Sequence, residues 1–174
     1  MNSLFIGFLF IFLNFNIKMG EATIGLIPSF VGFIFLLKGI NELSGESPLF
    51  KKAKPLSIFM ILYSAFLYIL DILAITNTQI LLTIFLAIIN IVTSLYIYYI
   101  IVSGVKDIEE SRNAFLNSSK LRARWNLMAL FQLLSLLSML ILPMAIIFII
   151  VSFIATILFL IDFHRTKKLY EALP

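Results

Sequence analysis

Residues Leu127–Ile161 make a run of 35 residues without a single formal charge. As one helix the run would measure about 52 Å at about 1.5 Å per residue, far more than the roughly 30 Å of a bilayer's hydrocarbon core. A water-soluble fold of 174 residues, 61% of them hydrophobic and only 13% charged, could not hide so much apolar surface. The run must therefore fold back within lipid. Pro143 is the one strong breaker inside it, because proline has no N–H for the helical ladder. We read a tight hairpin of two spans, Leu127–Leu142 and Met144–Ile161.

Four more apolar segments approach the span length of about 20 residues, with about 17 as a lower limit. They are Leu4–Ile17, Ile24–Ile40, Leu56–Ile75 and Ile80–Val102. The first has neither a cationic start nor a small-residue cleavage site, so a retained helix is expected rather than a signal peptide. Pro55 stands where a helix start would tolerate it. The expected fold class is all-α: one polytopic membrane domain over residues 1–174, folded as a bundle of six transmembrane helices.

Charge turns the spans into a topology. Threaded six times, the chain puts twelve of its thirteen Lys and Arg residues on one side and only Lys18 on the other. Loops rich in Lys and Arg face the cytoplasm, so both termini are expected there, in a bacterial plasma membrane. Tyr96, Tyr98 and Tyr99 close the fourth span and Trp125 opens the fifth, where an aromatic belt belongs. The net charge of +4 is carried in clusters beside the spans, so the expected partner is a bilayer with anionic headgroups and not nucleic acid. With no Cys, thiolate metal sites and thiol nucleophiles are excluded.

Small or weakly polar residues recur at helical spacing in every span. In the second they are Gly25, Ser29, Gly32 and Gly39, the candidate helix-packing residues. Helices in lipid associate through close packing of small residues and interhelical hydrogen bonds. The stripes read either as packing seams or as a polar pathway along the same faces. Asp71 is the only acidic residue well inside a span, roughly 7 Å from its outer end. An intramembrane carboxylate is a functional-site candidate by default. Alternatively it is satisfied near the interface by Lys18, Asn14 or Asn16. Asn90 and Gln132 complete the candidate buried polar set, with an interhelical clamp as the simplest role for Asn90.

No cofactor or metal motif is present, and no nucleophile stands paired with a base. His164 is the only histidine and lacks a second ligand or base beside it. Two cytoplasmic segments are basic: Gly45–Pro55, and Ser103–Asn126, which begins as an extension of the fourth span with Val105, Ile108 and Phe115 at helical spacing. Both read as elements that hug an anionic leaflet or as a docking surface for a protein partner.

The run Gly25-Leu26-Ile27-Pro28-Ser29-Phe30-Val31-Gly32-Phe33, continuing through Lys38–Leu43 and Ser47–Pro55, resembles a group of small multi-span membrane proteins of low-GC Gram-positive bacteria. The resemblance covers the first third of the chain. It implies a membrane location and no particular chemistry, and it implies an Asp where this chain has Ser29. The expected function is a non-enzymatic accessory or partner-binding membrane component. The alternative is a small transporter or transport subunit, since the chain is similar in size and span count to the substrate-binding membrane subunits of vitamin uptake systems.

Overall fold

The computed structural model describes residues 1–13, 16–19, 22–25, 28–73, 80–138 and 142–173. Among them the chain is helical apart from one short hairpin: α1 (Asn2–Phe12), β1 (Asn16–Met19), β2 (Ala22–Gly25), α2 (Ser29–Glu42), α3 (Pro48–Ile72), α4 (Ile80–Ser111), α5 (Ser118–Leu137) and α6 (Leu142–Glu171). Successive helices pack on one another and α1 meets α6, so the bundle closes on itself.

Three helical stretches, Pro48–Ile72, Leu81–Ser111 and Pro143–Glu171, are long and apolar enough to cross a membrane. Their outward faces tell the same story. Ile58, Leu62, Phe66 and Ile69 on α3, and Leu81, Phe85, Ile88 and Val92 on α4, recur every three or four residues and are all exposed. α6 exposes Ile146, Ile150, Phe153, Ile157 and Ile161. Continuous apolar stripes of this kind suit lipid and are penalised in water. This is a membrane protein.

The fold-back of the uncharged run is present, with Phe131 of α5 against Phe148 of α6 at 6.3 Å between ring centroids. Its boundaries differ from those expected. α5 starts nine residues before Leu127 and stops at Leu137, while α6 runs ten residues past Ile161. Pro143 lies in the first turn of α6, where its missing N–H costs nothing. Pro55 is also displaced from its expected place: α3 begins at Pro48, capped by the Ser47 hydroxyl, which accepts from Leu49 N at 3.2 Å. Pro55 then sits on an exposed face inside the helix. The segment around Lys51, Lys52 and Lys54 is thereby the exposed side of the first turns of α3, with Phe50 and Ala53 buried beneath it.

The first two spans need the largest correction. α1 has 11 residues and α2 has 14, about 16 Å and 21 Å of helix. Neither helix alone covers a bilayer core. The ends of the expected spans Leu4–Ile17 and Ile24–Ile40 instead pair as antiparallel strands, with Ile17 opposite Ile24 and Lys18 opposite Thr23. Pro28 caps α2 in extended backbone, with φ −60° and ψ 135°. Gly25 belongs to a strand, in register with Asn16, and is not a residue of α2.

Gly32 and Gly39 do lie at a close approach. A Cβ added at Gly32 would come 2.5 Å from the Ile11 side chain, and one at Gly39 would come 2.6 Å from Leu4. Gly7 answers them from α1, against Leu36. Next to this seam Phe8 is fully buried, with ring centroids 4.8 Å from Phe163, 5.2 Å from Tyr98 and 5.3 Å from Phe159. One core thus ties α1 to α4 and α6.

Candidate functional site

The sequence nominated polar residues deep in the spans, and those described lie on different helices. Asp71 is half-buried near the end of α3, the helix that β2 packs against. Of its suggested partners, Asn14 lies outside the described residues, as do the side chains of Asn16 and Lys18. Asn90 is half-buried on α4 and accepts from Ser94 Oγ at 3.3 Å, one turn along its own helix. Gln132 is half-buried on α5, its backbone carbonyl accepting from Ser135 Oγ at 2.8 Å. Ser29 opens α2, half-buried.

The dense polar structure is at the other end. Long helices with charged ends bring the termini of α3, α4, α5 and α6 together there with Met1 and Glu42. Ser3 Oγ donates to Glu42 Oε1 at 2.7 Å, tying α1 to α2. Ser47 Oγ donates to Asp107 Oδ2 at 2.6 Å, tying the α2–α3 turn to α4. Arg112 reaches Glu46 of the same turn, donating from Nε to Oε2 at 3.0 Å. Tyr170 of α6 donates its hydroxyl to Glu46 Oε1 at 3.3 Å. Burial, helped by the Glu46 carboxylate, pushes the Tyr170 phenol up from its ordinary range, which keeps that donor protonated. Lys167 of α6 donates to Asn2 Oδ1 at 2.7 Å, completing the circuit back to α1.

Asp162 is the centre of this end. It is only 3% exposed, yet three cations meet it: Arg124 Nε at 2.9 Å, Lys120 Nζ at 3.2 Å and Arg165 Nη1 at 3.8 Å. One buried carboxylate cannot neutralise three cations, so positive charge is left over. Lys120, Arg165 and Lys168, together with Phe115 and Leu169, line a cavity of about 490 Å³. Phe115 is 72% exposed there, off the end of α4, so the helical spacing expected to carry it stops at Ile108. His164 lies on the same helix against Phe5, 4.9 Å between rings, with a buried Nδ1 that has no hydrogen-bond partner.

Arg122 faces the opposite way. Its Nη1 donates to Ser103 Oγ at 3.0 Å, and its guanidinium lies over Tyr99 at 3.9 Å and Trp125 at 5.0 Å. Trp125 in turn donates its indole N–H to Leu95 O at 3.3 Å. This stack joins α4 to α5. The first turn of α5 is held by Glu109, which accepts from Leu116 N at 3.2 Å and Ser118 N at 2.8 Å. Asn117, in left-handed backbone at φ 62°, turns the chain into the helix.

Sequence reasoning treated Lys120–Arg124 as one basic run and passed over Asp162. A signal was there. Lys120 and Arg124 are four residues apart and share a helix face, Arg122 cannot share it, and Asp162 is the only acid near the end of the last span. Among the described residues no group of three or more His, Cys, Asp or Glu side chains is placed to hold a metal ion. In comparisons with known proteins, no family model, no curated protein and no solved structure matches this chain.

Proposed function

We propose that the protein is a six-span component of a bacterial plasma membrane, with residues 1 and 174 on the cytoplasmic side, that works without catalysis as an accessory subunit docking a protein partner. The observation that carries this reading is Phe115, a large exposed aromatic ringed by Lys120, Arg165 and Lys168 around a cavity of about 490 Å³. Most polar groups near it are already engaged with one another. An aromatic anchor within a cationic rim suits an acidic partner that offers an apolar pocket. Six spans are supported by charge, since six-fold threading puts twelve of the thirteen Lys and Arg residues on one side.

A photo-crosslinking residue at position 115 in native membranes tests the docking. The expected result is a discrete adduct that weakens in Lys168→Glu and is absent when the probe sits at Leu62. No adduct at 115 removes this reading. Reporter fusions test the threading: external after Thr78, cytoplasmic after Lys54, Lys120 and Pro174. The second reading, a small transporter, is favoured by one observation, the half-buried Asn90 and Gln132 amides in the apolar part of the bundle. Loss of uptake of a solute in a deletion strain, restored by the wild type but not by Asn90→Leu, would select it.

A further inference from the structure

The lipid-facing stripe of α6 runs on past the apolar sequence. Ile146, Ile150, Phe153, Ile157 and Ile161 are exposed at steps of four, three, four and four residues. Arg165 and Lys168 are exposed as well and continue the same face at steps of four and three. Where the stripe turns from apolar to cationic lies a cavity of about 420 Å³, lined by Phe5, Leu160, Ile161, His164, Arg165 and Lys168. Phe5, Leu160 and Ile161 are its apolar walls. His164 rests against Phe5, 4.9 Å between ring centroids, so the wall reaches from α6 to α1.

None of the six lining residues is acidic. Arg165 stands 3.8 Å from Asp162, the longest of that carboxylate's three ion pairs, behind Arg124 at 2.9 Å and Lys120 at 3.2 Å. Lys168 has no ion pair among the described residues. The fold therefore takes up little of the charge on this pair. Its depth follows from the sequence. The uncharged run ends at Ile161, which places the edge of the hydrocarbon there. Arg165 is four residues on, about 6 Å of helix, within a headgroup layer of roughly 5–8 Å. Side chains lean towards the N-terminus of their helix, here towards the lipid, so Lys168 reaches back to line the same cavity as Leu160.

We infer that this cavity holds one anionic phospholipid, its phosphate on Arg165 and Lys168 and the first carbons of its acyl chains on Phe5, Leu160 and Ile161. Arginine and lysine both pair with phosphate through charge-assisted hydrogen bonds. A zwitterionic lipid would bring an ammonium that finds no acid among the lining residues, and a free phosphate would leave the apolar walls uncovered. The inference rests on the membrane placement and not on the docking reading. Arg165 and Lys168 also border the Phe115 cavity, whose remaining walls, Phe115, Asn117, Lys120 and Leu169, are not shared.

The test gives the protein, purified in a non-ionic detergent, equimolar phosphatidylglycerol and phosphatidylcholine of the same acyl chains and counts bound lipid by native mass spectrometry. The first lipid bound should be phosphatidylglycerol, preferred roughly tenfold, the order expected of two cations beside a headgroup of net negative charge. Arg165→Gln with Lys168→Gln should lower the preference to about twofold or less. Arg165→Lys with Lys168→Arg keeps both charges and should keep the preference, which separates lost binding from lost fold. Lys51→Gln with Lys52→Gln takes the same charge from the exposed side of α3 and should change nothing. Phe115→Ala, which removes the docking anchor, should also leave the preference intact. Equal uptake of the two lipids by the wild type, or an equal loss in the Lys51 and Lys52 variant, overturns the inference. A loss in Phe115→Ala overturns it too, since the site is then the neighbouring cavity. Displacement of the lipid by soluble glycerol phosphate overturns the lipid assignment and identifies a water-soluble phosphate ligand.

Discussion

The two ends of this bundle hold together by different physics. At the end carrying the termini, buried apolar side chains are overlaid by a circuit of hydrogen bonds and ion pairs through all six helices, from Ser3–Glu42 to Lys167–Asn2. Towards the other end, α3 beyond Ser64 and α4 before Ser94 contain no fully buried side chain among the described residues. Lipid explains the contrast. Apolar surface gains nothing from leaving hydrocarbon, so helices there need only close backbone packing. Where the helices emerge into water, burial and paired charge both contribute. Substitutions at the polar end and at close helix contacts should therefore cost most, and those on the lipid-facing stripes least.

Asp162 is where that contrast is easiest to break. Asp162→Leu removes the acceptor of a charge-assisted hydrogen bond from Arg124, and because Arg124 and Lys120 stay partly solvated the loss should be about 1.5–3 kcal/mol. Thermal unfolding in detergent, followed by size exclusion, should show the largest loss of folded protein for this variant, with Asp162→Asn intermediate. Full stability of Asp162→Leu would mean the circuit is ornament.

Next in size is the α1–α2 seam. Gly32→Leu pushes a side chain into Ile11 and should cost about 1–3 kcal/mol or more by overpacking. Ile34→Leu, on the exposed side of the same helix, is the matched control and should be silent. Equal yields of the two variants would put the glycine face in lipid.

Asp71 sharpens the comparison from the apolar side. If it holds α3 to its surroundings by hydrogen bonds, Asp71→Leu should cost about 1–3 kcal/mol while Asp71→Asn keeps most of the stability. A melting series of the two variants decides it, and a stable Asp71→Leu that has lost a transport activity would turn the residue from structure to function. The smallest effect is expected at Leu62, 68% exposed on the lipid-facing stripe of α3. Leu62→Ala should shift stability by no more than about 0.5 kcal/mol, as for surface positions elsewhere. A larger loss would show that another protein covers that face.

Much of the architecture was legible residue by residue. The length of Leu127–Ile161 demanded a fold-back, and the Lys and Arg residues mark the helix ends and loops because they cannot enter hydrocarbon. Helix boundaries were less legible, since hydropathy measures where a helix leaves lipid and not where it stops. α4, α5 and α6 all continue into charged sequence, where amphipathic turns bury Ile108, Leu121 and Phe163. The hairpin was misread because Ile17, Thr23 and Ile24 are as apolar as a short span and equally at home in a strand.

The sequence alone determined the solvent of this protein, its helical class and the segregation of its charge, because these follow from composition and from the free energy of moving each residue type between water and lipid. Only the tertiary structure decided which charges meet. Lys120 and Arg124 turn to Asp162 while Arg122, between them, turns to Tyr99 and Trp125, because α5 is wedged between α4 and α6 and alternate residues at its start face different neighbours. That division, set by packing across some forty residues of chain, separates a carboxylate shared by three cations from a guanidinium stacked on two aromatic rings.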